Sequence, residues 1–173
     1  MTLRKGHCYT RIKRSYTRHS KYKTKDFVKG IPHSKVVRFD MGDSTKKYKK
    51  MIDLVAATDV QIRHNAIESA RQVVNRRLHV GLGLNYFFKI HIYPHHILRE
   101  NKVLTGAGAD RMQTGMQHSF GKAIGISAQV RKNTSIFSVF INPESLVIAK
   151  AALKKATPRL PGKFIIKERD IKA

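Results

Sequence analysis

The sequence predicts an α+β protein: two helices packed on a largely antiparallel or mixed sheet, an α/β sandwich, with a basic extended N-terminal arm and a long glycine-rich loop. Three observations carry this expectation. Ile67, Ala70, Val73–Val74 and Leu78 recur at helical spacing, which marks one long amphipathic helix. In YFFKIHIY (residues 86–93), Phe88, Ile90 and Ile92 alternate with Phe87, Lys89 and His91, the period of a half-buried strand. The cations, by contrast, crowd into segments with almost nothing to bury. Residues 1–34 read as an arm and 35–173 as one domain interrupted by a loop at 105–125, with no internal repeats.

Taken in order, the arm comes first. Between Arg4 and Lys29 stand ten Lys/Arg and a single acid, Asp26, with Tyr9, Tyr16 and Tyr22 interleaved. Phenol rings stack on bases and guanidinium groups, so this alternation suits a segment that orders on RNA and is unfolded away from it. Arg4, Lys5, Tyr9, Arg11, Lys13, Arg14, Tyr16, Arg18, Lys21 and Lys23 are its candidate contacts. A solvated basic tail is the plainer alternative.

Val36–Met41 reads as a strand closed by Gly42-Asp43, and Met51–Ala57 as a second. The long helix spans about Asn65 to Val80. Arg76, Arg77 and His79 suit its C-terminal dipole, and Gly81 and Gly83 offer a stop. Tyr86–Tyr93 is a strand ended by Pro94. Ile97–Leu104 enters the glycine loop and Ile126–Arg131 leaves it. Asn133-Thr134 forms a turn before a strand at Ser135–Ile141. Asn142-Pro143-Glu144 combines a cap, a first-turn proline and an acid, opening a second helix to about Ala156. Pro158 and Pro161-Gly162 precede a last strand, Lys163–Arg169.

Charge narrows the function. The 173 residues hold 35 Lys+Arg against 11 Asp+Glu, a net +24, which opposes compaction unless a polyanion neutralises it. Nucleic acid is the commonest such partner. An anionic membrane is the rival, but no apolar run approaches a span and no signal-peptide core follows Met1, so no membrane partner is expected. The single Cys8 fits a reducing cytosol.

Reactive chemistry finds little support. GMQHSFGKA (115–123) resembles a phosphate-binding loop, yet it has one residue too many between the glycines. Ala123 also replaces the magnesium-holding hydroxyl, and the segment leads to a strand, not a helix. Gly106-Ala-Gly108 has Arg111 where a dinucleotide fingerprint needs its third glycine. His91, His95 and His96 are split by Pro94 and lack further ligands, so no metal and no cofactor is expected. Asp110, His118 and Ser119 supply the residue types of a nucleophile without its context. No catalytic residue is expected.

RENKVLTGAGADRMQTGM (99–116), followed by Ser119-Phe-Gly-Lys122, resembles the signature of the universal large-subunit ribosomal protein sixteen family, called ten-e in archaea and eukaryotes. Cys8-Tyr9, Tyr16-Thr-Arg18, Phe39-Asp-Met-Gly42, Gln61–Ala66, Tyr93-Pro-His-His96 and Asn142-Pro-Glu144 are likewise similar to archaeal members. Lys5 and Ala123 stand where those members usually carry proline. The resemblance implies a non-catalytic structural protein bound to rRNA between the central protuberance and the stalk base. It also implies that the loop reaches toward the tRNA sites and the peptidyl-transferase centre. Implied partners are large-subunit rRNA, tRNA near the loop, neighbouring ribosomal proteins and assembly factors. No homo-oligomer is expected, and the implied location is cytoplasmic and ribosome-bound. Arg63, His64, His95, His96, Arg99, Lys102, Arg111, Gln113, His118 and Lys122 join the arm as candidate RNA contacts. A loop threading between RNA helices needs glycines for close backbone approach and cations for phosphates. An enzyme with the loop as lid, or a regulatory module binding an isolated hairpin, remain the alternative readings.

Overall fold

The computed structural model describes residues 4–13, 28, 30–101 and 121–171. Its elements are β1 (Asp40–Gly42), β2 (Lys50–Ala56), β3 (Val60–Arg63), α1 (His64–Leu82), β4 (Phe87–Ile90), β5 (His96–Glu100), β6 (Lys122–Val130), β7 (Ser135–Ile141), α2 (Leu146–Ala156) and β8 (Phe164–Asp170). Two sheets form: a five-stranded one in the order β1-β4-β7-β2-β8 and a three-stranded one in the order β3-β6-β5. Every ladder among the described residues is antiparallel. The α+β class is therefore as expected, with the strands divided between two sheets.

The hydrophobic pattern explains the packing. Ile67, Ala70, Val74 and Leu78 are the buried stripe of α1, and Ala149, Ala152, Leu153 and Ala156 that of α2. α1 lies against β3 and β6, α2 against β2, β7 and β8, and the helices lie against each other. They run antiparallel. Ile148 near the start of α2 meets Gly81 near the end of α1, while Arg159 just beyond α2 reaches Ser69 at 3.4 Å. One core joins both sheets and both helices, from Ile52, Leu54, Phe88, Phe137 and Val139 to Ile62, Ala128 and Val130.

Several local expectations are corrected. The first strand is only Asp40–Gly42, because upstream the backbone is captured by side chains. Ser34 Oγ accepts the Val36 N–H at 3.1 Å, and His64 Nδ1 accepts the Lys35 N–H at 3.2 Å. β3, where no element is expected from the sequence, is a strand that runs into α1 with no intervening residue. Gly83, at φ 60°, ends α1, its N–H bonded to the His79 carbonyl at 3.0 Å. Gly81 serves packing instead, since a Cβ there would lie 2.8 Å from Ile148 Cγ2. Asn142 makes no side-chain cap, and Pro143–Ser145 form a 3₁₀ turn leading into α2.

One buried carboxylate needs partners. Asp53, 2% exposed, accepts a hydrogen bond from Ser138 Oγ and an ion pair from Arg169 Nε at 3.3 Å. Because the Ser138 proton is committed to Asp53, His91 Nε2–H donates to Ser138 Oγ at 2.7 Å. Ser138 is itself buried and its hydroxyl is spent on satisfying the Asp53 carboxylate, so this trio is read as structural.

Candidate nucleic-acid interface

The first described part of the arm is docked, not unfolded. Residues Gly6–Tyr9 make one 3₁₀ turn. Beyond it the backbone lies along β3: the Gln61 N–H donates to the Thr10 carbonyl at 2.8 Å and Gln61 Nε2 to the Tyr9 carbonyl at 2.9 Å. Gln129 Nε2, on the neighbouring β6, donates to the Lys13 carbonyl at 2.8 Å and to Gln61 Oε1 at 3.2 Å. Buried Gln61 thus has a physical reason to be polar, since its backbone and side chain satisfy carbonyls of an irregular segment.

Glu100 fixes the other end. Its carboxylate pairs with Arg4 Nε at 2.6 Å and accepts from Tyr9 Oη at 3.3 Å. The Arg63 guanidinium lies 5.3 Å above the Tyr9 ring and donates to the Arg4 carbonyl at 3.3 Å. Burial, then the Glu100 carboxylate, pushes the Tyr9 phenol above its ordinary value, so it remains a donor. Glu100 also pairs in register with Lys122 across β5 and β6. These are the strand ends from which the 102–120 connection departs. The docked arm and the root of the loop therefore converge on one acid, Glu100, which stands in the 99–116 signature but was not singled out as a contact.

The candidate residues sort accordingly. Arg4, Tyr9 and Arg63 form one cluster with Glu100, and Lys5, Arg11 and Lys13 are exposed along the same segment. Arg99 and Lys122 sit at the loop root on β5 and β6. His64 opens α1, while the His95 N–H donates to the Ser127 carbonyl at 2.9 Å and His96 opens β5. Arg14, Tyr16, Arg18, Lys21, Lys23, Lys102, Arg111, Gln113 and His118 lie outside the described residues, as does most of 115–123. Lys122 opens a strand, which leaves that segment without the helix a phosphate-binding loop requires. Among the described residues, no group of three or more His, Cys, Asp or Glu could hold a metal ion. Nor is any described helix long and apolar enough to cross a membrane.

The histidines set a pH dependence. Burial is the main cause that depresses the imidazoles of His64, His91 and His96. Lys35, Arg63 and His33 add to it at His64 and His95 adds at His96, while Asp53 opposes it at His91. Each takes up a proton more readily in the unfolded chain. Their stabilising contribution is therefore complete above the unfolded value of about 6.5 and is lost as pH falls through it toward the lower folded values. The melting temperature is expected to fall between pH 7.5 and pH 5. Replacing His64 and His96 by glutamine should flatten that fall, as scanning calorimetry across the range would register.

Cations, amides and one aromatic thus gather on a docked arm beside a small sheet. The chain is a strongly basic α+β protein. The family model for ribosomal protein L16p/L10e matches residues 12–167. Methanospirillum hungatei has a large ribosomal subunit protein uL16 that is 47% identical over 150 residues, 86% of this chain and 85% of that one. Its counterpart in Methanococcus maripaludis is 44% identical over 163 residues, covering 93% and 91% of the two chains. The Staphylothermus marinus protein is 43% identical over 163 residues, covering 93% and 90%. The chain belongs to the ribosomal protein L16p/L10e family, and as a ribosomal protein it is a structural component and not an enzyme.

Proposed function

We propose that this protein is a constituent of the large ribosomal subunit that binds rRNA between the central protuberance and the stalk base, its loop at 105–125 directed toward the tRNA sites and the peptidyl-transferase centre. The observation that carries the reading is the convergence of the arm and the loop root on Glu100, in a chain of net +24 whose relatives are large-subunit proteins. Residues 1–34 act as the rRNA-binding arm of a single domain, 35–173. Its partners are large-subunit rRNA, tRNA near the loop, adjacent ribosomal proteins and assembly factors, and its place is on the cytoplasmic ribosome. The loop's glycines let its backbone approach RNA closely, and Arg111 and Gln113 supply contacts there.

The test is sedimentation with isolated large subunits over a series of salt concentrations. The protein is expected to co-sediment at low salt and to leave at high salt, log K falling by roughly 0.9 per neutralised phosphate per unit log salt. Equal partition onto small subunits, or binding indifferent to salt, would overturn the reading.

A further inference from the structure

A groove of about 500 Å³ lies between the segment 31–39 and the residues Tyr93-Pro94. Its floor is the register pair Ile97 and Ile126, on the same two strands that lead to the loop. Three large apolar side chains stand open around it: Ile31 at 61% exposure, Val37 at 72% and Tyr93 at 61%. Tyr93 stacks on Phe39, with ring centroids 5.7 Å apart and planes 27° apart. That contact steadies the phenol, while its exposure leaves ring surface open to the groove.

The chemistry of the rim selects the occupant. Among the described residues no carboxylate lines the groove, whereas His33 and His95 do, and the exposed cations Lys35 and Arg38 lie on its 31–39 wall. An apolar slot with an aromatic platform and a cationic border fits a flat ring joined to an anionic backbone. Such a ring is available where RNA is single-stranded, because an unpaired base can be splayed out and stacked on an aromatic side chain. The volume falls within the roughly 300–1,000 Å³ typical of small-ligand sites.

We propose that this groove receives one unstacked nucleobase of an RNA strand, its face on Tyr93 and its flanking phosphates toward Lys35 and Arg38. The inference rests on the RNA-binding reading above and adds to it a single-strand contact where the end of the arm, Ile31–Ser34, meets the domain. A peptide of a neighbouring protein, or another segment of this chain, would fill the same space without discriminating between single-stranded and duplex RNA.

The experiment uses the full chain and a short oligouridine carrying one central 2-aminopurine, free or annealed to its complement. Binding of the single strand should quench the 2-aminopurine emission, and the duplex should show no such quench. Tyr93→Ala should weaken single-strand binding about 5- to 150-fold, the range that loss of one base stack gives. The salt slope should stay unchanged, because no cation is removed. Tyr93→Phe should restore the quench, since the ring and not the hydroxyl acts. Ile31→Gln, at an exposed position that bears little on the core, should weaken the same step if Tyr93→Ala proves poorly folded. If Tyr93→Ala and Ile31→Gln both bind and quench as wild type does, the groove holds something other than a base, while the RNA-binding reading survives. If the wild-type chain shows no salt-dependent binding of the oligomer at all, the groove proposal falls, while co-sedimentation with large subunits decides the RNA-binding reading separately.

Discussion

Neutralising the arm by replacing Arg11, Lys13, Arg14, Arg18, Lys21 and Lys23 with glutamine is expected to lower rRNA affinity by on the order of 10³ near physiological salt. Each phosphate contact contributes roughly 0.7 to 0.9 to the slope of log K against log salt, so six lost contacts should flatten it by about 4 to 5. The design leaves the docked backbone in place. Gln61 and Gln129 hold the arm through the carbonyls of Tyr9, Thr10 and Lys13, not through cationic side chains. A loss of affinity therefore reports charge and not detachment. Salt titration of subunit binding decides it, and an unchanged slope would remove the arm's assigned role.

Phe137→Ala is expected to cost about 3–5 kcal/mol of stability, the range for truncating a buried aromatic. The ring is 0% exposed and meets Phe88 edge-on at 5.4 Å between centroids and 75° between planes. These two strands, β4 and β7, lie at the centre of the shared core, so the cavity has little room to collapse. For a domain of this size each kcal/mol moves the melting temperature by roughly 2–4 °C, giving a fall of about 6–20 °C. Thermal unfolding measures it. A shift of under 2 °C would mean that the two aromatic rings are not packed as described.

Some elements were legible because their signal is local. The α1 stripe needs only the spacing of Ile67, Ala70, Val74 and Leu78, and the structure buries these four. β7 and the turn before it follow from a β-rich run behind Asn133, which adopts φ 66°, a region asparagine tolerates. β3 was missed although Val60-Gln61-Ile62-Arg63 alternates apolar and polar, because four residues running straight into α1 make too short a run to stand apart from the helix. β6 begins earlier than its apolar pattern does. Lys122, Ala123 and Gly125 have poor strand propensity, yet their pairing with β5 holds them extended.

Of the candidate interface, residue types were legible and their neighbours were not. A run of cations and tyrosines identifies an arm, but its docking depends on Gln61 and Gln129, which lie far along the chain and look like ordinary polar strand residues. The groove at Tyr93 was equally hidden, since Ile31, Val37 and Tyr93 come from two separate segments. By itself the sequence determined the class of fold, the long helix, the charge that demands a polyanion and the family, because composition, periodicity and ordered motifs survive in one dimension. Only the tertiary structure decided the split into two sheets, the insertion of β2 between β7 and β8, and the meeting of arm and loop root at Glu100. Those depend on which distant backbones exchange hydrogen bonds and on which side chains satisfy the remainder. Such pairings are settled by the shared burial of the whole core and leave no periodic trace in any single segment.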